Sequence, residues 1–141
     1  MTSGFVVDAS VAIKWLLEED LSDQARLLEG APLFAPDIMP IEVANVLWKK
    51  SKIGQLSRRE ASAAWDLFQT APVRMIPGQD LASQALELAI DLGHPIYDCL
   101  YLALARNIRL PFVSADRRLR GVLGKHPPLR ALFQPLEELS L

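Results

Sequence analysis

The chain has 141 residues, half of them apolar, enough to bury a sizeable core in one compact domain. Its 15 basic and 17 acidic residues leave a net charge of −2, which excludes the global positive field of a nucleic-acid binder, so such a role needs local basic side chains or bound cations. No apolar stretch approaches the roughly 18 to 20 residues that cross a bilayer, and polar Thr2, Ser3 and Gly4 precede only a short apolar run, so neither leader nor membrane span is expected and residence is read as cytoplasmic.

Phe5, Val6 and Val7 are continuously apolar rather than alternating and predict a short strand covered on both faces, ending at Asp8. Ser10 then starts a helix through Val11, Ile13, Trp15, Leu16 and Leu17, and a second helix is predicted from Ser22 to Glu29, before Gly30. Leu33 to Ala35 reads as a strand stopped by Pro36. Beyond Pro40, apolar residues at three- and four-residue spacing from Ile41 to Trp48 predict a largely buried helix that runs into Lys49, Lys50 and Lys52 and ends at Gly54. Ser57 with Glu60 has the pattern of a capping box, for a helix through Trp65 and Phe68 that stops before Pro72.

Val73 to Ile76 is the next strand, and Asp80 to Leu92 an amphipathic helix closed by Gly93. Pro95 opens a helix from Ile96 to about Arg106 that is apolar almost all round; it contains the one cysteine, Cys99, read as a packed thiol. Pro111 to Ser114 supplies another strand, Asp116 starts a helix through Leu119 and Leu123, and Phe133 to Leu136 is a final edge strand where Pro135 is tolerated. No repeat or linker interrupts this alternation, which predicts βα units around a parallel sheet in a single domain over residues 1–141.

Four acids break the apolar pattern. Asp8 and Asp116 follow strand-like runs, while Glu42 and Asp98 lie near the starts of apolar helices, after Pro40 and Pro95. They are separated by 34, 56 and 18 residues, so only a fold brings them together. Open parallel sheets bind ligands beyond the carboxyl ends of their strands, where these positions converge. Each acid alone also has a local reading: Asp8 and Asp116 as helix caps, Glu42 as a partner of the helix dipole, Asp98 as a structural carboxylate.

Taken together, gathered carboxylates repel by roughly 4 kcal/mol per close pair at an effective dielectric near 20. A divalent cation removes that repulsion. Oxygen ligands, with no histidine or second cysteine expected nearby, select Mg2+ or Mn2+ over Zn2+. Such an ion activates water and stabilises charge on a phosphodiester.

The segments VVDASVAIKWLL, APDIMPIEVANVLWKK, YDCLYLALA and FVSADRRL, in this order between Phe5 and Leu119, resemble the signature segments of the PIN-domain family, and particularly of its VapC-type toxin ribonucleases. The resemblance implies a three-layer α/β/α sandwich and an Mg2+-dependent, single-strand-selective endoribonuclease of a type II toxin–antitoxin pair. Carried over position by position, Asp8 and Asp98 match the acids that most directly hold the ion, with Glu42 and Asp116 the other two. Ser10 matches a supporting hydroxyl. Ser114 stands where the family often has threonine and keeps the hydroxyl. The family pattern also implies a homodimer whose helical groove receives a VapB-type antitoxin segment.

Lys14, Arg117 and Arg118, with Arg120, are candidates for neutralising RNA phosphates, against the alternative of ordinary solvated helix faces. Lys49, Lys50 and Lys52 suit a helix C-terminus. Trp15, Trp48 and Trp65 are expected in core packing, with a partner groove as the other reading. His94 and His126 lack ligand spacing and read as loop residues. Competing functions are a PIN nuclease of RNA processing without an antitoxin, a non-catalytic interaction domain, and a phosphoacceptor or phosphatase module. The last is disfavoured because Asp8-Ala9-Ser10 lacks a second aspartate two residues on.

Overall fold

A computed structural model describes residues 4–140. Thr2 and Ser3, on which the expected absence of a leader partly rests, lie outside the described residues. The elements run β1 (Phe5–Val7), α1 (Ala9–Leu16), α2 (Ser22–Arg26), β2 (Leu33–Pro36), α3 (Met39–Lys52), α4 (Arg58–Phe68), β3 (Val73–Ile76), α5 (Ala82–Leu92), α6 (Ile96–Ile108), β4 (Phe112–Ser114), α7 (Arg117–Leu123), α8 (Pro127–Arg130) and β5 (Phe133–Pro135). Single 3-10 turns at Gly78–Asp80 and Leu136–Glu138 complete the set. Among the described residues no helix is long and apolar enough to cross a membrane.

The five strands form one sheet in the order β3-β2-β1-β4-β5, with every pairing parallel. β1 lies at the centre, Val6 opposite both Phe34 and Phe112, and all three of its residues are buried. From β1 the chain winds outward through β2 to β3, then returns to β4 on the other side. The right-handed rule for such crossovers puts α1 to α4 on one face and α5 with α6 on the other. The contacts agree: α1 packs on α2, α3 and α4, while α6 packs on α5 and on β1, β2 and β4. The protein is therefore a three-layer α/β/α sandwich, and the strand order reverses between β1 and β4.

The apolar character of α6 has a direct cause, because the helix is enclosed between the sheet and α5. Every residue from Cys99 to Ala105 is buried. Tyr101 stacks on Phe112 with ring centroids 5.4 Å apart, and Phe112 meets Phe133 edge-on at 5.6 Å, so one aromatic column ties α6 to β4 and β5. Burial of Cys99 matches its reading as a packed thiol. The capping box of α4 is present, with Ser57 Oγ accepting from the Glu60 amide at 3.0 Å and Glu60 Oε1 from the Ser57 amide at 2.9 Å. β5 is the edge strand expected, Pro135 pairing with Ser114.

Four expectations need correction. The second helix stops at Arg26, not Glu29, because the Trp15 indole donates to the Ala25 carbonyl at 2.9 Å. The amides of Leu28 and Glu29 instead bond three residues back, in tight turns. α3 starts at Met39, with Pro40 in its first turn, and buries only Met39, Val43 and Leu47. The stripe at four-residue spacing faces α1 and α4, and Ile41 and Trp48 point outward, so the helix is not largely buried. Trp48 is 56% exposed under the Lys52 ammonium rather than in the core; Trp15 and Trp65 do pack against it. α8 was not anticipated, being a single turn begun by two prolines.

Because Phe112 holds Tyr101 on one side and Phe133 on the other, Phe112→Ala should cost about 3–5 kcal/mol. Urea denaturation measures this, and a loss under about 1 kcal/mol would mean the column is not a principal core contact.

Candidate active site

The carboxyl end of β1 delivers Asp8 into a closed set of donors. Its backbone is extended, and its Oδ1 caps α1 by accepting from the Val11 amide at 3.3 Å. Ser10 Oγ donates to the same oxygen at 2.5 Å, and Ser114 Oγ, from the end of β4, donates to Oδ2 at 2.6 Å. Each serine has one proton and gives it to Asp8. As acceptors, Ser10 Oγ takes the Ala115 amide and Ser114 Oγ the Asp116 amide, both at 3.0 Å. Both serines thus join the two strand ends on either side of the reversal point, and Asp8 is only 6% exposed.

Burial pushes the Asp8 carboxyl up from its ordinary 3.8 to about 7, against the lowering effect of the two serine hydrogen bonds, with the nearby charges of Asp98 and Glu42 adding to the rise. Glu42, in the first turn of α3, is raised by burial and by Asp98, while Tyr101 opposes the shift by donating its hydroxyl to Oε1 at 2.6 Å. Burial and then the charges of Glu42, Asp8 and Asp98 push the Tyr101 phenol far upward, so it stays a protonated donor. Asp98, in the first turn of α6, is 23% exposed and has Oδ2 2.6 Å from His94 Nε2.

Three of the four expected acids, Asp8, Glu42 and Asp98, therefore share one electrostatic environment. Asp116 joins differently. Its carboxylate turns to its own helix, Oδ1 accepting from the Arg118 and Leu119 amides at 2.9 and 3.1 Å, and only its backbone amide reaches the network through Ser114. The helix-cap reading of Asp116 is thus realised, as is that of Asp8. His94 lies in the α5–α6 connection, so it is a loop residue, but the expectation that no histidine stands near the acids is wrong. Its ring nitrogen engages Asp98, a contact set by the Gly93–Pro95 turn that motif spacing does not reveal.

The free donors are oxygens, which suits Mg2+ or Mn2+. Among the described residues no group of three or more His, Cys, Asp or Glu side chains is gathered tightly enough to hold a metal ion. Mg2+ is ordinarily bound through one or two carboxylates and several waters, so any ion here would rest on a pair of these acids rather than on a closed protein cage. Cys99 is no ligand here: its thiol donates to the Pro95 carbonyl at 3.6 Å and is pushed up to about 11 by burial and the Asp98 charge.

The profile of the PIN domain matches residues 5–124. The chain belongs to the PIN-domain family. Ribonuclease VapC3 of Pyrobaculum aerophilum is 33% identical over 120 residues, covering 81% of this chain and 90% of that protein. Among solved structures, a Pyrobaculum aerophilum protein superposes with a TM-score of 0.67 at 23% identity over 97% of this chain and 93% of that one. A toxin–antitoxin complex from Klebsiella pneumoniae superposes with a TM-score of 0.62 at 17% identity over 96% of this chain and 100% of that one. The last two likenesses are of fold.

The cations around this PIN-domain site are unequally available. Lys14 Nζ pairs with Glu19 at 3.1 Å, and Glu19 pairs again with Lys50 at 3.2 Å, bridging α1 to α3. Burial pushes the Glu19 carboxyl up, but the hydrogen bonds and charges of Lys14 and Lys50 outweigh it and hold the group below its ordinary range. Arg120 is tied to Glu137 at 2.6 Å and to Glu138. Arg117 is 85% exposed, its nearest acid Glu137 at 3.7 Å, and Arg118 is exposed as well.

The elevated Asp8 carboxyl predicts a pH dependence. A raised carboxyl favours the folded state most below the ordinary value of 3.8, and that contribution is lost as pH rises through about 7. Metal-free wild type should therefore lose stability relative to Asp8→Asn as pH rises between those values. Chemical denaturation of both proteins across this window measures the difference, and parallel curves would contradict the burial argument.

Proposed function

We propose that this chain is an Mg2+-dependent endoribonuclease, with Mn2+ as an alternative ion, that cleaves single-stranded regions of RNA and acts as the toxin of a VapBC-type pair. The observation that carries the reading is the mutual electrostatic influence of Asp8, at the carboxyl end of the central strand, Glu42 and Asp98, in a PIN domain whose curated relative is named a ribonuclease. In this reading Asp8 and Asp98 would hold the ion directly, and Glu42 would act through water, with Asp116 able to join only through Oδ2 because its Oδ1 caps α7. The domain works as one unit, in the cytoplasm.

When bound, the divalent ion supplies charge neutralisation, activation of water and stabilisation of negative charge at phosphorus. The chain's own residues supply the geometry. Ser10, Ser114 and the Val11 amide fix Asp8 in one orientation. Tyr101 occupies Glu42 Oε1 and leaves Oε2 as the acceptor for a water proton, in an environment that already favours protonation. Arg117 and Arg118, both exposed, are the side chains offered to backbone phosphates, whereas the Lys14 charge is committed to Glu19.

The antitoxin reading draws on the fold shared with the toxin–antitoxin complex and on the groove between α3 and α4, lined by Ala44, Leu47, Trp48, Ala61 and Trp65. An antitoxin arginine suits the acids physically, as it substitutes one positive charge for the ion. Leu86 and Ile90 on α5, exposed and apolar with Tyr97 on α6, are the surface offered for a second copy in a homodimer. A PIN nuclease of RNA processing would lack the antitoxin, and a short adjacent gene for a DNA-binding protein separates the two.

Asp8→Ala and Asp98→Ala should each abolish metal-dependent cleavage of single-stranded RNA while leaving a folded protein; cleavage at wild-type rates by both would sink the site assignment. Mg2+ at a hundredfold excess over its dissociation constant should stabilise wild type by about 2.7 kcal/mol, and an unchanged melting curve at millimolar Mg2+ would count against the ion site. Neutralising Arg117 and Arg118 together should weaken RNA binding and reduce its salt dependence, with the log–log slope falling by roughly 1 to 2. An unaltered slope would remove them from the RNA path.

A further inference from the structure

The mechanism above gives His94 no part, yet its surroundings are specific. Its side chain is only 9% exposed, and the contact it makes with Asp98 is 2.6 Å long. Its backbone is held on both sides. α5 ends at Gly93, whose φ of 62° reverses the chain, and the His94 amide then donates back to the Ala89 carbonyl at 3.2 Å. This is the bond that closes a helix when the glycine after it turns left-handed. Pro95 follows and restricts the backbone before it to extended conformations, and α6 begins at once with Ile96. The imidazole therefore has little freedom to do anything but meet the first turn of α6.

The direction of the hydrogen bond follows from the chemistry of its partner. A carboxylate ready to bind a cation has lost its proton and only accepts, so Nε2 carries the hydrogen. The neighbouring acids are each supplied in the same way: Asp8 by Ser10, Ser114 and the Val11 amide, Glu42 by Tyr101. His94 is the donor for Asp98. We propose that His94 is a positioning residue whose Nε2–H holds Asp98 Oδ2 and leaves Oδ1 free for a divalent ion, so that it sets metal affinity without touching RNA or the reacting atoms. The inference rests on the metal-dependent reading of the site.

The test is Mn2+ binding to the metal-free full-length protein, followed by electron paramagnetic resonance. It compares wild type, His94→Leu, His94→Gln, His94→Asn and Asp98→Asn, each first checked by circular dichroism and melting without metal. Hydrogen-bond partners of metal ligands typically contribute 10–100-fold in affinity, so His94→Leu should bind Mn2+ about 10–100-fold more weakly, while His94→Gln, whose amide nitrogen can occupy the Nε2 position, stays within about threefold of wild type.

Wild-type affinity in His94→Leu overturns the proposal, as does an equal loss in His94→Gln, which would make the imidazole itself the requirement. Should His94→Leu fail to fold, the comparison passes to the two amides: the shorter His94→Asn must bind more weakly than His94→Gln, and equal affinities overturn the proposal. No Mn2+ binding by wild type, or none lost in Asp98→Asn, removes the metal site itself, whereas wild-type binding left intact in His94→Leu removes only the role of His94.

Discussion

Asp8 is a carboxylate set at the end of the central strand of a sheet covered on both faces, and the arrangement around it follows from that burial. Hydrogen bonds to charged groups contribute about 1.5–3 kcal/mol each, and Asp8 has Ser10, Ser114 and the Val11 amide. Burial still outweighs them, since its carboxyl is driven up to about 7. Glu42 and Asp98 add repulsion to a group already reluctant to ionise. Three acids that raise one another's cost of ionising are what a bound cation would relieve, which is the physical basis of the proposed metal site.

The topology explains why the conflict falls there. Strand order reverses between β1 and β4, so no crossover covers their two adjacent strand ends. Asp8 comes from one of these ends, Ser114 and Asp116 from the other, and the Ser114–Asp8 hydrogen bond joins them. α6 then acts as a rigid rod: Cys99 to Ala105 are buried against the sheet and α5, Tyr101 reaches from this core to Glu42, and Asp98 stands in the half-open first turn. Core packing and site geometry share residues, so Tyr101 belongs to both.

Much of this is legible in the sequence because buried acids conflict with their apolar surroundings. Strand ends, helix starts and the capping box at Ser57 have local signals, and the parallel sheet follows from their alternation. What escapes has physical reasons. His94 has no ligand spacing, because it bonds to an acid and its aim is set by the Gly93 and Pro95 backbone. Lys14 resembles any helix-surface cation until Glu19, five residues on, closes against it and Lys50 arrives from α3. Periodicity places apolar residues on α3 but does not say which face finds a partner, so Ile41 and Trp48 emerge on the outside. Asp116 looks equivalent to the other acids in sequence, yet its carboxylate is spent on the α7 amides.

The central claim is that Asp8, Glu42 and Asp98 form a binding point for one hard divalent cation, with Asp8 and Asp98 in direct contact. A crystal structure of the protein grown with Mn2+, with anomalous diffraction recorded for manganese, tests it most directly. The account predicts an anomalous peak with carboxylate oxygens of Asp8 and Asp98 at about 2.1 Å and water completing the coordination. Manganese bound only elsewhere on the protein, or coordinated without Asp8 and Asp98, would contradict it.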